Sequence, residues 1–299
     1  MTQTRTAFIA IVGCPNVGKS SILNRLLGQK VAVVSPKPQT TRTKIMGVLT
    51  EDEVQLVFTD TPGFHRPRTK LGEKMIKAVS DSISGVDACL FVVEPSGELR
   101  DAEKDLLKKF KDEKMPVILA INKIDSVKQK ELLIERMAQF SALYDFEAIV
   151  PCSAFKGDGF GDLKDELFKQ AQPSPHFFPD DTLTDQPERV LAAEIIREKL
   201  LNLLDDEVPH GVAVCIERMH EREDSNITDI DATIYCERES HKGIIIGKKG
   251  TMLKKVSTKA REDMERFFMC KINLHCWVKV KEGWRNREGL IRNFGLDNE

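Results

Sequence analysis

Apolar and polar positions divide the chain into two differently patterned halves. In the first, Ala7 to Val12, Ala88 to Val93 and Pro116 to Ile121 are short apolar runs that suit strands buried on both faces. Between and beyond them, Ser20 to Leu27, Lys70 to Ser84, Asp101 to Lys111, Glu131 to Leu143 and Leu163 to Gln170 read as amphipathic helices. Ile45 to Thr50 and Val54 to Phe58 read as paired strands around the acidic turn Glu51-Asp52-Glu53, and Ala148 to Val150 as a last strand. Strands alternating with helices predict an α/β domain with a mostly parallel sheet and helices on both faces. Its ligands should lie at the strands' C-terminal ends.

The pattern changes at 172–186, QPSPHFFPDDTLTDQ, which has no lysine, no arginine and no amphipathic period. The expected organisation is therefore a first domain over 1–171, a linker over 172–187 and a second domain over 188–299. Pro187 to Leu204 carries a helical pattern, with Asp185 as its expected N-cap and Pro187 near the first turn. Val212 to Met219 and Ile227 to Cys236 alternate as strands. A short helix leading into Gly247-Lys248-Lys249-Gly250, a long helix from Thr251 to Phe268 and a strand from Lys271 to Val280 complete an α+β order.

Each motif of the first half falls where a strand ends. Gly13-Cys14-Pro15-Asn16-Val17-Gly18-Lys19-Ser20 matches G-x-x-x-x-G-K-[ST] between an apolar strand and a helical pattern, the context of a phosphate-binding loop in a P-loop NTPase. Backbone N–H groups from Gly13 to Ser21 should surround phosphate oxygens, Lys19 should reach the β- and γ-phosphates, and Ser20 should ligate Mg²⁺. Asp60-Thr61-Pro62-Gly63 follows the second paired strand, where a Walker-B-type aspartate holds Mg²⁺ and the Gly63 N–H can contact the γ-phosphate. Asn122-Lys123-Ile124-Asp125 selects the base. The Asp125 carboxylate can accept from guanine N1–H and the exocyclic amine, which adenine lacks, and such a site rejects the analogue by roughly 10⁴-fold. Asn122 should steady the loop, the Lys123 stem should lie over the ring, and the Ala154 N–H of Ser153-Ala154-Phe155 should donate to guanine O6.

In the second half, G-x-x-G between helices is the loop by which KH domains clamp about four nucleotides of single strand. Apolar Ile244 to Ile246 ahead of it and Lys248, Lys249, Lys254 and Lys255 in and after it fit that role, and the element order is that of a type II KH domain. Charge agrees: 188–241 holds six Lys/Arg against fourteen Asp/Glu, whereas 242–292 holds fourteen against five. Positive charge gathered around the loop is an electrostatic footprint for RNA.

Composition narrows the remainder. At 299 residues two domains are expected, and a net charge of −2 excludes an overall basic protein. The seven cysteines never show C-x-x-C spacing, so no zinc or disulfide framework is predicted. No apolar run approaches the ~20 residues of a membrane span and no signal-peptide order is present, so the protein is expected in the cytosol.

The ordered set of phosphate loop, threonine-bearing loop, D-x-x-G, N-K-x-D and S-A-x-x-G resembles the Ras-like translation-factor GTPases. Pro38-Gln39-Thr40-Thr41-Arg42, Phe64-His65-Arg66-Pro67, Leu71-Gly72-Glu73, Thr184 to Arg189, Glu207-Val208-Pro209-His210 and Trp277 to Trp284-Arg285 are similar to the bacterial Era family over nearly the whole chain. That resemblance implies a monomeric GTPase that binds the 3′ end of small-subunit ribosomal RNA, assists assembly of that subunit and touches the inner face of the cell membrane. It favours Thr41 as the switch threonine that ligates Mg²⁺, although spacing leaves Thr40 and Thr41 both open. It also implies that Asn16 can hold K⁺ beside the phosphates. Phe64 stands where Ras-type enzymes carry a water-orienting glutamine, so intrinsic hydrolysis should be slow, ~10⁻³ s⁻¹. The alternatives are a signalling GTPase acting on proteins, which leaves the basic G-x-x-G unused, and a GTP-dependent RNA-modifying enzyme, which needs further catalytic groups in the second domain.

Overall fold

The computed structural model describes residues 3–35, 37, 40–64, 67, 69–205 and 208–296. Pro38 and Gln39 of the threonine loop, His65 and Arg66 after D-T-P-G, and Glu207 lie outside the described residues. The chain forms two compact units, and the main change between them falls between Asp185 and Gln186.

The first unit contains β1 (Arg5–Gly13), α1 (Lys19–Leu27), β2 (Ile45–Glu51), β3 (Val54–Asp60), α2 (Lys70–Ile83), β4 (Ala88–Val93), α3 (Asp101–Glu113), β5 (Val117–Ile121), α4 (Lys130–Ser141), β6 (Ala148–Pro151), α5 (Phe160–Lys169) and β7 (Gln172–Pro173). Its sheet runs β2-β3-β1-β4-β5-β6, parallel except for β2, with β7 pairing antiparallel to β1. Alternation along β1 explains the two covered faces. Ala7, Ile9 and Ile11 join the core under α1 and α5, while Ala10 and Val12 join the core under α2, α3 and α4. A fully buried parallel strand therefore has no polar face, as its apolar sequence foretold.

The stretch expected as a linker runs instead, as far as Asp185, as a strap along the first unit. β1 extends beyond its pairing with β4, which starts at Ile9, and the overhanging Arg5 and Thr6 pair with Pro173 and Gln172. Further on, Val48 N donates to Leu183 O at 2.9 Å and Thr184 Oγ1 to Met46 O at 2.6 Å. Edge backbone groups that need partners find them in this segment.

The second unit contains α6 (Glu188–Leu203), β8 (Ala213–Glu221), β9 (Ile227–Cys236), α7 (Glu239–Ile246), α8 (Thr251–Phe268), β10 (Lys271–Val280) and α9 (Glu288–Asn293). β9 is central, antiparallel to β8 and parallel to β10. Ile230, Ala232 and Ile234 of β9 meet Ile196 and Leu200 of α6 and Val256, Ala260 and Met264 of α8 in one core. Asp185 does not cap α6. Pro187 occupies that position, with no side-chain cap, because its fixed φ of −57° already suits the turn into the helix.

Candidate functional site

The phosphate loop joins β1 to α1. Gly13 and Gly18 adopt φ of 150° and 100°, and a Cβ would lie 2.3 Å from Val92 O at the first and 2.2 Å from Asn122 Nδ2 at the second. Only glycine fits either position, which leaves backbone N–H groups free to line the loop. Lys19 is buried, and its Nζ donates to Gly13 O at 3.2 Å and Cys14 O at 3.0 Å. Desolvation lowers its pKa, opposed by the nearby Asp60 carboxylate. Ser21 lies in the first turn of α1 beside Ser20.

At the head of α1 the structure gathers Ser20, Thr41 and Asp60. Ser20 Oγ lies 2.6 Å from Asp60 Oδ2 and 2.8 Å from Thr41 Oγ1, and Thr41 Oγ1 lies 3.4 Å from the same Oδ2. Thr40 is directed elsewhere, donating to Lys37 O at 2.6 Å. Desolvation pushes the fully buried Asp60 up to about 6, against the Lys19 charge and the hydroxyl donors, and among the described residues its Oδ1 has no hydrogen-bond partner. Two hydroxyls and a carboxylate with an unused buried oxygen form a hard, oxygen-only set suited to Mg²⁺. Thr61 Oγ1 donates to Ile11 O at 2.8 Å, and Phe64 N to Gly13 O at 3.0 Å. A Cβ on Gly63 would lie 2.7 Å from Pro15 Cα, so the D-T-P-G turn through Pro62 is seated directly on the phosphate loop.

Asn122 ties the base loops to the phosphate loop. Its Nδ2 donates to Val17 O at 2.9 Å and its Oδ1 accepts the Ala154 N–H at 3.0 Å. That N–H, expected to face guanine O6, is thus engaged by Asn122, whose carbonyl needs a donor once buried. Ser153 Oγ donates to Asp125 Oδ1 at 2.5 Å and orients the exposed carboxylate. Phe155 is 85% exposed next to it. Lys123 has φ of 66°, and its Nζ donates to Asn16 O at 2.5 Å and to Glu94 Oε1 at 2.8 Å. Asn16, itself at φ 64°, meets the base motif through that carbonyl. Sequence reasoning missed Glu94; its one signal is a charged residue closing an otherwise apolar strand.

In the second unit, Gly247 and Gly250 have φ of 71° and 78°, and Lys249 between them has φ of 52°. A Cβ on Gly247 would lie 2.7 Å from Met252 Cβ, so the turn from α7 into α8 requires the small residue. Lys248, Lys249, Lys254 and Lys255 are exposed, Ile246 is half-buried, and Ile245 is buried in the core. The loop therefore presents exposed cations and a close backbone between two helices, which suits a phosphodiester chain.

Comparison with known proteins places these sites in a wider set. Residues 8–123 match a family model described as "50S ribosome-binding GTPase", and residues 207–285 match a KH domain model. GTPase Era of Clostridioides difficile is 48% identical over 295 residues, covering 99% of both chains. GTPase Era of Ruminiclostridium cellulolyticum is 49% identical over 291 residues, covering 97% of each. Among solved structures, a variant of Aquifex aeolicus Era bound to GDP·AlF4⁻ matches at a TM-score of 0.94 and 37% identity, over 98% of this chain and 99% of that one. Era in complex with MgGDPNP and nucleotides 1506–1542 of 16S ribosomal RNA matches at 0.92 and 38%, with the same coverage.

Proposed function

The chain belongs to the Era family of GTPases with a C-terminal KH domain, and from that premise we propose that it binds the single-stranded 3′ end of small-subunit ribosomal RNA and assists assembly and RNA maturation of that subunit. The observation that carries this reading is the joining of phosphate and base loops through Asn122, in a chain whose KH loop offers exposed cations. The solved relative that carries a 16S fragment supports the small subunit. The first-domain model's description names the 50S, but it covers only residues 8–123, so the full-length likeness is the more specific guide.

Ser20, Thr41 and Asp60 hold Mg²⁺ in this reading, and a solved relative is bound to the magnesium form of its nucleotide. When bound, the ion screens the charge of the β- and γ-phosphates. Lys19 adds a second positive charge there, and the backbone N–H of Gly63 reaches the γ-phosphate. Phe64 offers no hydrogen bond to orient water, so hydrolysis is slow and works as a timer. Asn16 would hold K⁺, which would supply positive charge to the phosphates; equal GTPase rates in potassium and sodium buffers remove that part.

The protein acts in the cytoplasm as a monomer, with peripheral contact at the inner membrane face following from the family resemblance. Among the described residues no helix is long and apolar enough to cross a membrane. Calorimetry with GDP and ADP, followed by titration of a short 16S 3′-end RNA in GDP and in a non-hydrolysable GTP analogue, tests the reading. Guanine-selective binding and nanomolar-to-micromolar RNA affinity are expected; equal uptake of both purines overturns it.

A further inference from the structure

Glu94 follows β4 directly and belongs to none of the nucleotide-binding motifs, yet each of its carboxylate oxygens has its own cation. Oε1 lies 2.8 Å from Lys123 Nζ, and Oε2 lies 2.5 Å from Arg100 Nη2. Its backbone carbonyl accepts from Nε of the buried Arg136 at 3.2 Å. Arg136 is itself fixed, with Nη2 3.4 Å from both Glu103 oxygens, and Glu103 Oε2 accepts the Arg100 N–H at 2.9 Å. The Glu94 backbone is therefore anchored independently of either cation, and Lys123 and Arg100 each meet one oxygen of its carboxylate. Burial acts to raise its pKa, but the two cations more than reverse this and hold it below the usual carboxylate range.

The consequence falls on Lys123. Its ammonium is held between the Glu94 carboxylate and the Asn16 carbonyl of the phosphate loop, so its stem bridges the base loop and the phosphate loop. An unanchored lysine samples many rotamers, and a ligand that lies against its stem has to remove that freedom on binding. With Glu94 in place the ordering is already done in the folded protein. The separate engagement of Oε1 and Oε2 also shows that Glu94 does more than neutralise Arg100, because one oxygen suffices for that.

We propose that Glu94 is a positioning residue for the guanine site: it fixes the Lys123 stem against the phosphate loop and thereby sets how long a guanine nucleotide stays bound. The proposal rests on the guanine-nucleotide reading above. In chemical class it concerns the purine moiety, since its effect passes through the lysine beside the base.

The test uses the full chain with Glu94→Gln, Glu94→Asp, Lys123→Met, the Glu94→Gln/Lys123→Met pair and Arg100→Met. Dissociation of a fluorescent GDP is followed by stopped flow, alongside kcat and KM for GTP and a thermal melt. Glu94→Gln is expected to release GDP about fivefold faster, the scale of a half-exposed ion pair. KM rises with it more than kcat falls, and Glu94→Asp recovers part of the loss. In the Lys123→Met background the same substitution has little further effect. Arg100→Met keeps the slow release, because the Lys123 pair survives it. Wild-type release in Glu94→Gln overturns the proposal, and so does an undiminished effect in the Lys123→Met background. If Glu94→Gln melts too low to assay, Arg100→Met decides: faster release there assigns the effect to the charge network as a whole and overturns the proposal. Failure of the unaltered chain to bind GDP removes the underlying reading, whereas normal binding with an unaltered Glu94→Gln removes only the positioning role.

Discussion

Ser20 Oγ lies 2.8 Å from Thr41 Oγ1 across 21 residues of chain, with Asp60 Oδ2 within reach of both. The neighbouring Thr40 hydroxyl donates to Lys37 O and reaches neither partner in that group. Thr41→Ala is therefore expected to slow single-turnover GTP hydrolysis on the order of a hundredfold, the scale of losing one contact to transition-state charge. Thr40→Ala should lose less than twofold by the same phosphate-release assay. An exchange of the two results would assign the role to Thr40.

Asp60 makes stability depend on pH in an unusual direction for a carboxylate. Burial pushes its folded-state pKa up to about 6, whereas the unfolded chain has ~3.9. Protonation then favours the folded form: the contribution is fully present below the unfolded value and is lost as pH rises through about 6. Without nucleotide or Mg²⁺, the chain should gain about 1.4 kcal/mol from this group between pH 7.5 and pH 5. Asp60→Asn should remove that gain, read as the difference between urea midpoints of the two proteins. With Mg²⁺ and nucleotide the sign reverses, because proton and cation compete for the same oxygens.

Gln55 gives the strap its firmest attachment. The side chain is fully buried; Oε1 accepts from Phe177 N at 2.8 Å and Phe178 N at 3.0 Å, and Nε2 donates to Phe178 O at 2.9 Å and Thr50 Oγ1 at 3.0 Å. Gln55→Leu leaves three strap backbone groups without these partners and is expected to cost about 2 to 4 kcal/mol. Urea unfolding should show the loss, and limited proteolysis should cut within 174–182 in the variant before it cuts elsewhere. Equal protease resistance would falsify the attachment.

The sites differ in how far the sequence disclosed them. The phosphate loop, Asp60 and Asn122 are readable because their chemistry fixes both residue type and spacing, and because apolar runs as plain as β4 locate the strands. Gln55 is unreadable: a polar residue within an apolar strand carries no sign that its amide will match the backbone of a segment more than a hundred residues later. The strap is missed for the same reason, since it follows the first unit's sheet through backbone groups and has no period of its own. Glu94 is only half readable; its charge at a strand end is visible, but the pairing with Lys123 depends on how β4 and β5 stand side by side.

The KH loop supplies the last prediction. Gly247 and Gly250 both take positive φ, so the loop's shape belongs to its backbone, while Lys248 and Lys249 project as exposed cations. Reversing both charges should leave the fold and GDP affinity intact while weakening single-stranded RNA. For single strands each phosphate contact contributes about 0.7 to the slope of log affinity against log salt. Lys248→Glu with Lys249→Glu should therefore flatten that slope by about 1.4 and lower affinity at least tenfold at low salt. The comparison needs fluorescence anisotropy at four salt concentrations on the same RNA. Substituting Gly250 with alanine acts by a different route. It strains a residue at φ 78° with open space around it, so the loss should appear in affinity with the salt slope unchanged. An unchanged slope in Lys248→Glu with Lys249→Glu would show that these lysines make no phosphate contact and would overturn the electrostatic clamp.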